Sequence, residues 1–337
     1  MIKDALTKLV AHIDLTCAEA EAAMAEIMSG QATDAQIAAF AVALRMKGET
    51  VEEITGCARV MRQKATPVHA PSPDVLDTCG TGGDASRTFN VSTAVALVAA
   101  GAGCCVAKHG NRCVSSASGS ADVLRELGVN IEADVPLVER SLREAGIGFL
   151  FAPGLHKAMK HAIGPRREMG IRTVFNILGP LTNPAGAQRQ LLGVYDASLL
   201  ETLAAVLGNL GSVRCLVVHG DDGLDELTTT TTSRVCELDG GTLRSYRVSP
   251  EDLGLPRARL EDLRVASPAE SAAAIRDVLG GCTGPHRDIV LLNAAAAIVA
   301  AGRAGDLAAG LRLAAEAIGS GAAARALGRL VAVTNSR

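Results

Sequence analysis

The chain has 337 residues, of which 48% are hydrophobic and 20% charged, and its formal net charge is −3. This length suits one large domain with a smaller one, and the apolar content excludes an intrinsically disordered chain. Because the net charge is small and negative, neither nucleic acid nor an anionic membrane is expected as the main partner. Aromatic residues make up only 2% of the chain, which argues against recognition of bases by aromatic stacking.

The nine cysteines form no Cys-X-X-Cys pair and no Cys/His spacing typical of a zinc site. Their pattern is typical of small buried residues in a reducing compartment. Charges at Lys3, Asp4 and Lys8 fall where a signal peptide would need an apolar core, and no apolar run reaches the length of a membrane span. We therefore expect a cytoplasmic protein with no membrane partner.

The first seventy residues are predicted to be entirely helical. Three helix starts are predicted from cap residues, at Thr16 with Glu19, at Asp34, and at Thr50 with Glu53. The segment TPVHAPSP then breaks the helical pattern. We expect a helical N-terminal domain over residues 1–69, with helices from about 155–185 as candidate additions to it.

Beyond this break, short apolar runs alternate with helical stretches, which is the pattern of a parallel sheet covered by helices. The runs VLD, CCVAKHG, GFLF and RCLVVHG predict strands, and a helix is predicted near 197–208. The segments SRVCEL and LRSYRVS flank an Asp-Gly-Gly turn at 239–241 and predict a hairpin. We expect an α/β domain over 70–337, with a central, mainly parallel sheet flanked by helices.

The densest chemical signal is the segment DTCGTGGDASRTFNVSTA at 77–94. It places Gly80, Gly82 and Gly83 directly after a predicted strand, and Asn90, Ser92 and Thr93 at the start of the next helix. Glycines let backbone N–H groups approach an anion, and a helix N-terminus suits phosphate. A tight strand-to-helix turn with Ser92 as the N-cap explains the segment alone equally well. The segment matches neither the P-loop nor the dinucleotide fingerprint.

A second polar cluster, AKHGNRCVSSASGSAD at 107–122, follows the next predicted strand. Its members are the cations Lys108 and Arg112, the hydrogen-bonding residues His109 and Asn111, and Ser115, Ser116, Ser118, Gly119 and Ser120. In open α/β sheets, ligands bind at the carboxyl ends of the strands. A solvated loop with serine caps is the alternative interpretation, but it does not explain two cations, a histidine and an asparagine together.

Two further segments carry charge that a ligand could use. Asp225 and Glu226 follow the predicted strand RCLVVHG, and adjacent loop carboxylates suit Mg²⁺ together with substrate phosphates. Solvated loop acids are the alternative interpretation of this pair. Residues 151–186 are rich in basic residues, namely His156, Lys160, His161, Arg166, Arg167 and Arg172. Arg166 is a candidate clamp for a carboxylate, whereas most of the others are expected on the exposed face of one amphipathic helix.

These segments, in this order and spacing, resemble the anthranilate phosphoribosyltransferase family of tryptophan biosynthesis. The matching motifs are GTGGD at 80–84, NVSTA at 90–94, KHGNR at 108–112, SGSADVL at 118–124, RRE and TVFNILGPLTNPA within 166–185, and the acid pair at 225 and 226. The resemblance extends over nearly the whole chain. It implies a homodimer, each subunit having a small helical domain hinged to a larger α/β domain.

The activity that the resemblance implies is transfer of the phosphoribosyl group of 5-phosphoribosyl 1-diphosphate (PRPP) to the amino group of anthranilate. The products are N-(5-phosphoribosyl)anthranilate and pyrophosphate, Mg²⁺ is the cofactor, and the reaction is the second step from chorismate to tryptophan. A pyrimidine nucleoside phosphorylase shares the two-domain architecture but differs in the KHGNR and GPLTNP segments. A non-catalytic paralogue that binds nucleic acid would be expected to have a basic surface and to lack the acid pair.

The resemblance also implies roles for individual residues. PRPP would contact Gly80, Gly83, Asp84, Thr88, Asn90, Val91, Ser92, Thr93, Lys108, His109, Gly110, Asn111, Arg112, Ser115, Ser116 and Ser120. Magnesium would be held by Ser92, Asp225 and Glu226. Anthranilate would meet Gly80, Asn111 and Arg166, with His109, Pro153 and His156 along its access path. No residue is implied as a general acid or base. Two departures are Ala117, where family members often carry Lys, and Met159, where some have Tyr.

Overall fold

The computed structural model describes residues 1–84, 86–112 and 119–336. Four helices come first: α1 (Ile2–Val10), α2 (Cys17–Met28), α3 (Asp34–Lys47) and α4 (Val51–Lys64). The predicted capping boxes at Thr16 and Thr50 are confirmed. The cap predicted at Asp34 is wrong by one residue, because the Thr33 side chain accepts the Gln36 N–H and the Gln36 side chain accepts the Thr33 N–H. Asp34 is instead the first residue of the helix.

The helical layer is completed by chain that returns to it much later. Helices α8 (Ala152–Leu155), α9 (Lys160–Met169) and α10 (Val174–Leu178) follow the third strand of the sheet. Helix α9 packs on α2 and α3, and α10 packs on α3 and α4. The buried side chains of Met24 and Phe40 share one apolar core with Ala162 and Phe175 from the returning segment. The helical layer is therefore built from two separate stretches of sequence.

In the described part of the chain, seven strands form one sheet. They are β1 (Val75–Gly80), β2 (Cys105–Gly110), β3 (Ile147–Phe151), β4 (Arg189–Gly193), β5 (Arg214–Gly220), β6 (Ser233–Asp239) and β7 (Thr242–Val248). Their order is β3-β2-β1-β4-β5-β6-β7. The first five are parallel, and β6 and β7 are antiparallel additions joined at Gly240 and Gly241. The predicted mainly parallel sheet and its hairpin are confirmed.

Helices cover both faces of this sheet. They are α5 (Val91–Gly101), α6 (Ser120–Glu126), α7 (Val135–Glu144), α11 (Leu199–Asn209), α12 (Pro268–Leu279), α13 (Pro285–Ala300), α14 (Leu307–Gly319) and α15 (Ala322–Thr334). Helix α5 is apolar along its length, and α13, α14 and α15 pack around it to form the largest core. Helices α7 and α11 pack on β3 and β5, respectively. No helix in the described residues is long and apolar enough to cross a membrane.

The two layers are joined by direct contacts as well as by the chain. Arg62 near the end of α4 donates from Nε to the Leu181 carbonyl at 2.7 Å and from Nη1 to the Leu210 carbonyl at 3.0 Å. Burial of this guanidinium lowers its pKa. The apolar core of the helical layer continues onto α11 and onto the β4 and β5 face of the sheet.

The topology brings the predicted functional loops to one edge. Strand β1 lies between β2 and β4, so the strands that follow it are added first on one side of β1 and then on the other. The carboxyl ends of β1, β2, β4 and β5 face the same edge because these strands are parallel. Such a switch point opens a crevice where ligands bind. The loops after β1, β2 and β5 all begin at this crevice.

Candidate active site

The glycine-rich loop after β1 is held by neighbouring strands and loops. Thr81 N donates to the Gly193 carbonyl at 2.9 Å, and Tyr195 N donates to Thr81 Oγ1 at 3.1 Å. Gly82 and Gly83 have φ of +66° and +81°, which L side chains rarely adopt. Gly82 N donates to Asp225 Oδ2 at 2.8 Å. Gly82 and Gly83 therefore give the loop a backbone path that other residues would rarely adopt.

Helix α5 begins beside this loop, with Asn90 as its N-cap. Asn90 Oδ1 accepts the Thr93 N–H at 3.1 Å. The interpretation of Ser92 as the cap is wrong, because Ser92 lies inside the first turn and its Oγ accepts a hydrogen bond from Lys108 Nζ at 3.1 Å. Val91 is the first helical residue and is buried. The first turn of α5 thus lies next to a lysine ammonium, which adds positive charge to the helix N-terminus.

The segment between the glycines and α5 is anchored from the far end of the domain. The Asp84 carboxylate accepts hydrogen bonds from the Ser86 N–H at 3.3 Å and the Ser86 hydroxyl at 2.6 Å. Thr88 Oγ1 lies 3.2 Å from Ser86 Oγ. Phe89 N donates to the Leu263 carbonyl at 3.0 Å, so the segment pairs with chain near residue 263. Asp84 and Thr88 therefore lie on a backbone whose path is fixed from outside the loop.

Lys108 is buried beneath the glycine-rich loop. Its side chain is 1% exposed, and Nζ donates to the Thr78 carbonyl at 2.6 Å as well as to Ser92. Burial lowers the pKa of Lys108, whereas the nearby carboxylates of Asp77 and Glu226 act in the opposite direction. The solvated-loop interpretation is therefore wrong for Lys108, whose charge is held inside the sheet edge.

Two buried histidines line the same edge. The rings of His109, at the end of β2, and His156, after α8, have centroids 5.1 Å apart. Burial lowers the pKa of His109 to about 3 and that of His156 to about 4, although carbonyls of Gly179 and Thr182 hydrogen-bond the two rings. Within the described residues, Nε2 of each ring has no hydrogen-bond partner. Both rings are neutral at pH 7 and present a free nitrogen in a buried position.

The rest of the β2 loop is more exposed. Asn111 Oδ1 accepts the Arg112 N–H at 2.7 Å, and the Asn111 carbonyl accepts the Ala121 N–H at 3.2 Å. Arg112 forms an exposed ion pair with Glu132 at 3.1 Å. Three further predicted positions are Gly110 at the end of β2, the half-buried Ser120 that begins α6, and the exposed Pro153 in α8. Ser115, Ser116, Ala117 and Ser118 lie outside the described residues.

Arg166 is a half-buried cation in the last turn of α9. Its Cζ lies 5.6 Å from the centre of the Phe175 ring, and burial lowers its pKa. Among the residues that the structure describes, no carboxylate lies within ion-pair distance of it. A desolvated guanidinium without an anion is suited to bind a carboxylate of a ligand. This geometry is consistent with the carboxylate clamp expected from the sequence.

The expectation that the other basic residues share one exposed helix face is only partly correct. Lys160 and Arg167 are exposed on α9, as expected. His156 lies before α9 and is buried, and Arg172 lies after it. The Arg172 guanidinium hydrogen-bonds the Gly83 carbonyl and lies 4.2 Å from the centre of the Tyr195 ring. It therefore connects the returning helical segment to the glycine-rich loop, because the turn after Gly170 redirects the chain.

Two polar residues that the sequence reasoning missed support this edge from below. Asn183 Nδ2 donates to Asp77 Oδ2 and to the Ala107 carbonyl, both at 2.8 Å. Asp77 Oδ1 accepts the His109 N–H at 3.1 Å. Burial raises the pKa of Asp77, while Asn183 and Lys108 act in the opposite direction. The sequence signal for this cluster is Asp77 itself, an acid within a buried strand, because a buried carboxylate requires hydrogen-bond partners.

The acid pair lies opposite the glycine-rich loop. Burial raises the pKa of Asp225 to about 7, and the charge of Asp84 adds to this effect. Burial and the Asp225 charge also raise the pKa of Glu226, while Lys108 and a hydrogen bond from the Ser92 backbone act in the opposite direction. A Cβ added at Gly80 would overlap the Asp225 carboxylate, so this pair lies tightly against the loop. The solvated-loop interpretation of the pair is therefore wrong.

These carboxylates are crowded, partly desolvated and short of positive charge, which are conditions that a divalent cation relieves. In the described ranges, no three His, Cys, Asp or Glu side chains form a group that could hold a metal by themselves. Mg²⁺ is commonly bound by one or two carboxylates together with substrate phosphates, rather than by an all-protein cage. The residues present therefore fit a magnesium ion that arrives with a phosphorylated ligand.

The fold is that of a known family of transferases. The chain belongs to the glycosyl transferase family: the helical bundle domain of the family matches residues 3–65 and its a/b domain matches residues 72–324. Two curated relatives with high sequence identity carry the same enzyme name. The chain is 57% identical over 336 residues to the anthranilate phosphoribosyltransferase of Moorella thermoacetica, with 100% of this chain and 99% of that one covered. It is 56% identical to that of Geotalea uraniireducens, with 99% and 100% covered.

Solved structures agree with this assignment. The anthranilate phosphoribosyltransferase of Thermus thermophilus superimposes with a TM-score of 0.94 at 44% identity, and 99% of this chain and 100% of that chain are covered. The enzyme from Saccharomyces cerevisiae in complex with PRPP and Mg has a TM-score of 0.91 at 29% identity, with 100% and 98% covered. The small helical domain and larger α/β domain expected from the sequence are confirmed.

Proposed function

We propose that this chain is an anthranilate phosphoribosyltransferase. It transfers the phosphoribosyl group of PRPP to the amino group of anthranilate, and this reaction belongs to tryptophan biosynthesis. The observation that supports the proposal most strongly is the hydrogen bond from Gly82 N to Asp225 Oδ2, which joins the glycine-rich loop to the acid pair. A phosphate cradle and a carboxylate metal site at one sheet edge suit a diphosphate ester.

The PRPP site is proposed to comprise the glycine-rich loop, the first turn of α5 and the β2 loop. Its residues are Gly80, Gly83, Asp84, Thr88, Asn90, Val91, Ser92, Thr93, Lys108, His109, Gly110, Asn111, Arg112, Ser115, Ser116 and Ser120. The glycine-rich backbone and the positive end of the α5 dipole would attract the phosphates, and the buried Lys108 would add positive charge from beneath. Ser115 and Ser116 enter only through the family resemblance.

Ser92, Asp225 and Glu226 are proposed to hold Mg²⁺. When bound, this ion would neutralise charge on the departing pyrophosphate. The residues of the chain do the rest: the positive end of the α5 dipole stabilises the leaving group, and the loops fix the ribose C1 relative to the second substrate. No residue is assigned as a general acid or base, because anthranilate presents a neutral amine that can attack directly.

Anthranilate is proposed to bind through its carboxylate to Arg166, with Gly80 and Asn111 nearby. His109, Pro153 and His156 would line its access path. The support is that Arg166 is half-buried without an anion and that both histidines are neutral. A neutral path avoids trapping the carboxylate before it reaches the guanidinium, so the charge of Arg166 orients the amine toward the sugar.

We also propose the domain boundaries, the assembly and the location of this protein. The helical domain comprises residues 1–69 with about 155–185, and the α/β domain comprises the remainder of 70–337. A homodimer is supported by the exposed apolar side chains Val10, Ile13 and Met46 at α1 and α3. A cytoplasmic location is supported by the cysteines, since the eight that the structure describes are all free. Light scattering tests the homodimer, and cell fractionation tests the location. A protein that stays monomeric at high concentration contradicts the proposed homodimer.

The activity is tested with purified protein, PRPP, Mg²⁺ and anthranilate, by following the loss of anthranilate fluorescence. We expect turnover that EDTA abolishes and excess Mg²⁺ restores. The matched pair Asp225→Asn and Asp239→Asn separates the acid pair from an exposed acid at the end of β6, and only the first should lose activity. Absence of turnover in the wild type, or release of a pyrimidine base from a nucleoside with phosphate, would contradict the proposal.

A further inference from the structure

The acid pair is held in place by a residue that none of the predicted motifs contains. Asn293 lies in the middle of α13 with its side chain fully buried. Its Oδ1 accepts the Leu227 N–H at 2.9 Å, and its Nδ2 donates to the Leu227 carbonyl at 2.7 Å. Leu227 directly follows Glu226 and is itself buried. One side-chain amide therefore pairs with both polar groups of the residue next to the acid pair.

Other hydrogen bonds hold this loop at other positions, including one from Ala258 N to the Thr229 carbonyl at 2.9 Å. Gly220 N donates to the Leu224 carbonyl at 2.8 Å, and Thr228 N donates to Ser233 Oγ at 2.8 Å. These bonds close the two ends of the β5 to β6 connection. In the described residues, the backbone of Leu227 has no other hydrogen-bond partner than Asn293. Asn293 is therefore the side chain that hydrogen-bonds the residue next to the acid pair to helix α13.

Neither helix propensity nor the apolar neighbours of Asn293 favour an asparagine at this position of α13. Residues 289–300 are otherwise all apolar and buried, and asparagine is a poor helix former. Its remaining donor bonds the Ile289 carbonyl at 2.9 Å, so the amide is fully paired and its orientation is fixed. A buried polar group of this kind specifies one arrangement of what it contacts.

We propose that Asn293 is a positioning residue that sets the acid pair at the distance from the glycine-rich loop that a divalent cation and a diphosphate require. The inference rests on the proposed function. Asp225 Oδ2 accepts a hydrogen bond from Gly82 N, so the acid loop is fixed at two points, by Asn293 on one side and by Gly82 on the other. Loss of the Asn293 contact leaves the Leu227 N–H and carbonyl buried without partners, and the loop shifts to solvate them.

The test compares Asn293→Leu, which keeps the branching of the side chain but replaces its polar groups with methyl groups, with Ile298→Ala, which creates a cavity in the same helix. Hydrogen exchange of the unliganded protein is measured first, on peptides covering residues 220–232. We expect faster exchange there in Asn293→Leu and not in Ile298→Ala. PRPP binding is then titrated with Mg²⁺ in the absence of anthranilate. The Mg²⁺ concentration for half-maximal binding should rise about tenfold in Asn293→Leu only, with KM for anthranilate unchanged.

Each outcome decides the question. Wild-type exchange and Mg²⁺ dependence in Asn293→Leu would overturn the inference, and so would an equal shift in Ile298→Ala at an equal loss of Tm. If Asn293→Leu does not fold, Asn293→Ser replaces it, since its hydroxyl retains part of the hydrogen bonding; a wild-type Mg²⁺ dependence in that variant overturns the inference. A wild-type protein without Mg²⁺-dependent PRPP binding contradicts the proposed function instead, whereas the exchange data still report on Asn293.

Discussion

The Gly82 amide donates a 2.8 Å hydrogen bond to Asp225 Oδ2, so the loop that follows β1 and the loop that follows β5 meet through a single backbone donor. The two residues are 143 positions apart in the chain. The contact holds the Asp225 carboxylate against the backbone of the glycine-rich loop. Changes on either side of it should therefore alter the binding of phosphate and metal together.

Gly80→Ala tests the closeness of this contact. The new Cβ would overlap the Asp225 carboxylate and push the acid pair away from the loop. We expect KM for PRPP to rise about tenfold to a hundredfold, in line with the cost of overpacking of about 1–3 kcal/mol. The control is Gly328→Ala in α15, where an added Cβ meets nothing within 4 Å and the helix should be slightly stabilised. Steady-state kinetics that show equal KM values in both variants would contradict the overlap.

Arg166→Ala tests the carboxylate clamp. Loss of a charged hydrogen bond should cost about 1.5–3 kcal/mol, so kcat/KM for anthranilate should fall roughly 10-fold to 150-fold. PRPP binding should change little. Arg167→Ala removes an exposed cation at the next position of the same helix and is expected to resemble the wild type. The role assigned to Arg166 fails if KM for anthranilate is unchanged, or if both variants lose the same amount.

Arg172→Ala tests the link between the returning helical segment and the glycine-rich loop. The guanidinium is exposed, so stability should change little, but the loop loses both the hydrogen bond at Gly83 and the stacked contact on Tyr195. We expect KM for PRPP to rise about fivefold, in line with an exposed cation–π contact of about 0.5–1 kcal/mol and one hydrogen bond. Arg172→Lys should not restore it, because an ammonium cannot stack as a planar group. Tyr195→Phe keeps the ring and should behave as the wild type in the same assay.

The buried histidines predict a dependence of stability on pH. The folded pKa of His156 is about 4, below the value of about 6.5 expected when unfolded. The unfolded chain therefore binds more protons between these values, so the stability contributed by the neutral ring is present above about pH 6.5 and is lost as pH falls toward 4. Asp225 acts oppositely, since its pKa is raised to about 7 and its contribution is lost as pH rises.

A substitution at His156 separates its contribution to the pH dependence of stability from that of Asp225. His156→Gln should reduce the slope of unfolding free energy against pH by at most about 1.4 kcal/mol per pH unit between pH 4 and 6.5. The exposed His69→Gln serves as the control and should leave the slope unchanged. Urea denaturation at several pH values measures both. Parallel curves for wild type and His156→Gln would show that the ring is not held neutral by burial.

Local chemistry made much of the fold predictable. The capping boxes at Thr16 and Thr50, the alternation of apolar runs with helices, and the Asp-Gly-Gly turn each depend on neighbours in sequence, and all are confirmed. The strand-to-helix-turn interpretation makes Ser92 the cap of α5, whereas the structure makes it Asn90; both residue types suit an N-cap, so only the backbone decides.

What could not be predicted depends on contacts between distant parts of the chain. Lys108 reads as a loop cation, yet the parallel pairing of β1 with β2 puts its ammonium under Thr78. Arg172 reads as part of an amphipathic helix, yet the helix ends at Gly170, which adopts a left-handed conformation, and the guanidinium reaches Gly83. The motifs predict which segments meet at the sheet edge. The burial of each side chain and its hydrogen-bond partners depend on the tertiary structure.

The divided origin of the helical layer has a consequence for synthesis. Residues 1–64 form α1 to α4, but the side chains that close their core, such as Phe175, are made only after three strands of the sheet. While the ribosome adds the intervening residues, the apolar faces of the early helices have no permanent cover. The N-terminal helices therefore expose part of their apolar surface until the returning segment has been synthesised. Their maturation is timed by the translation of a segment more than a hundred residues downstream.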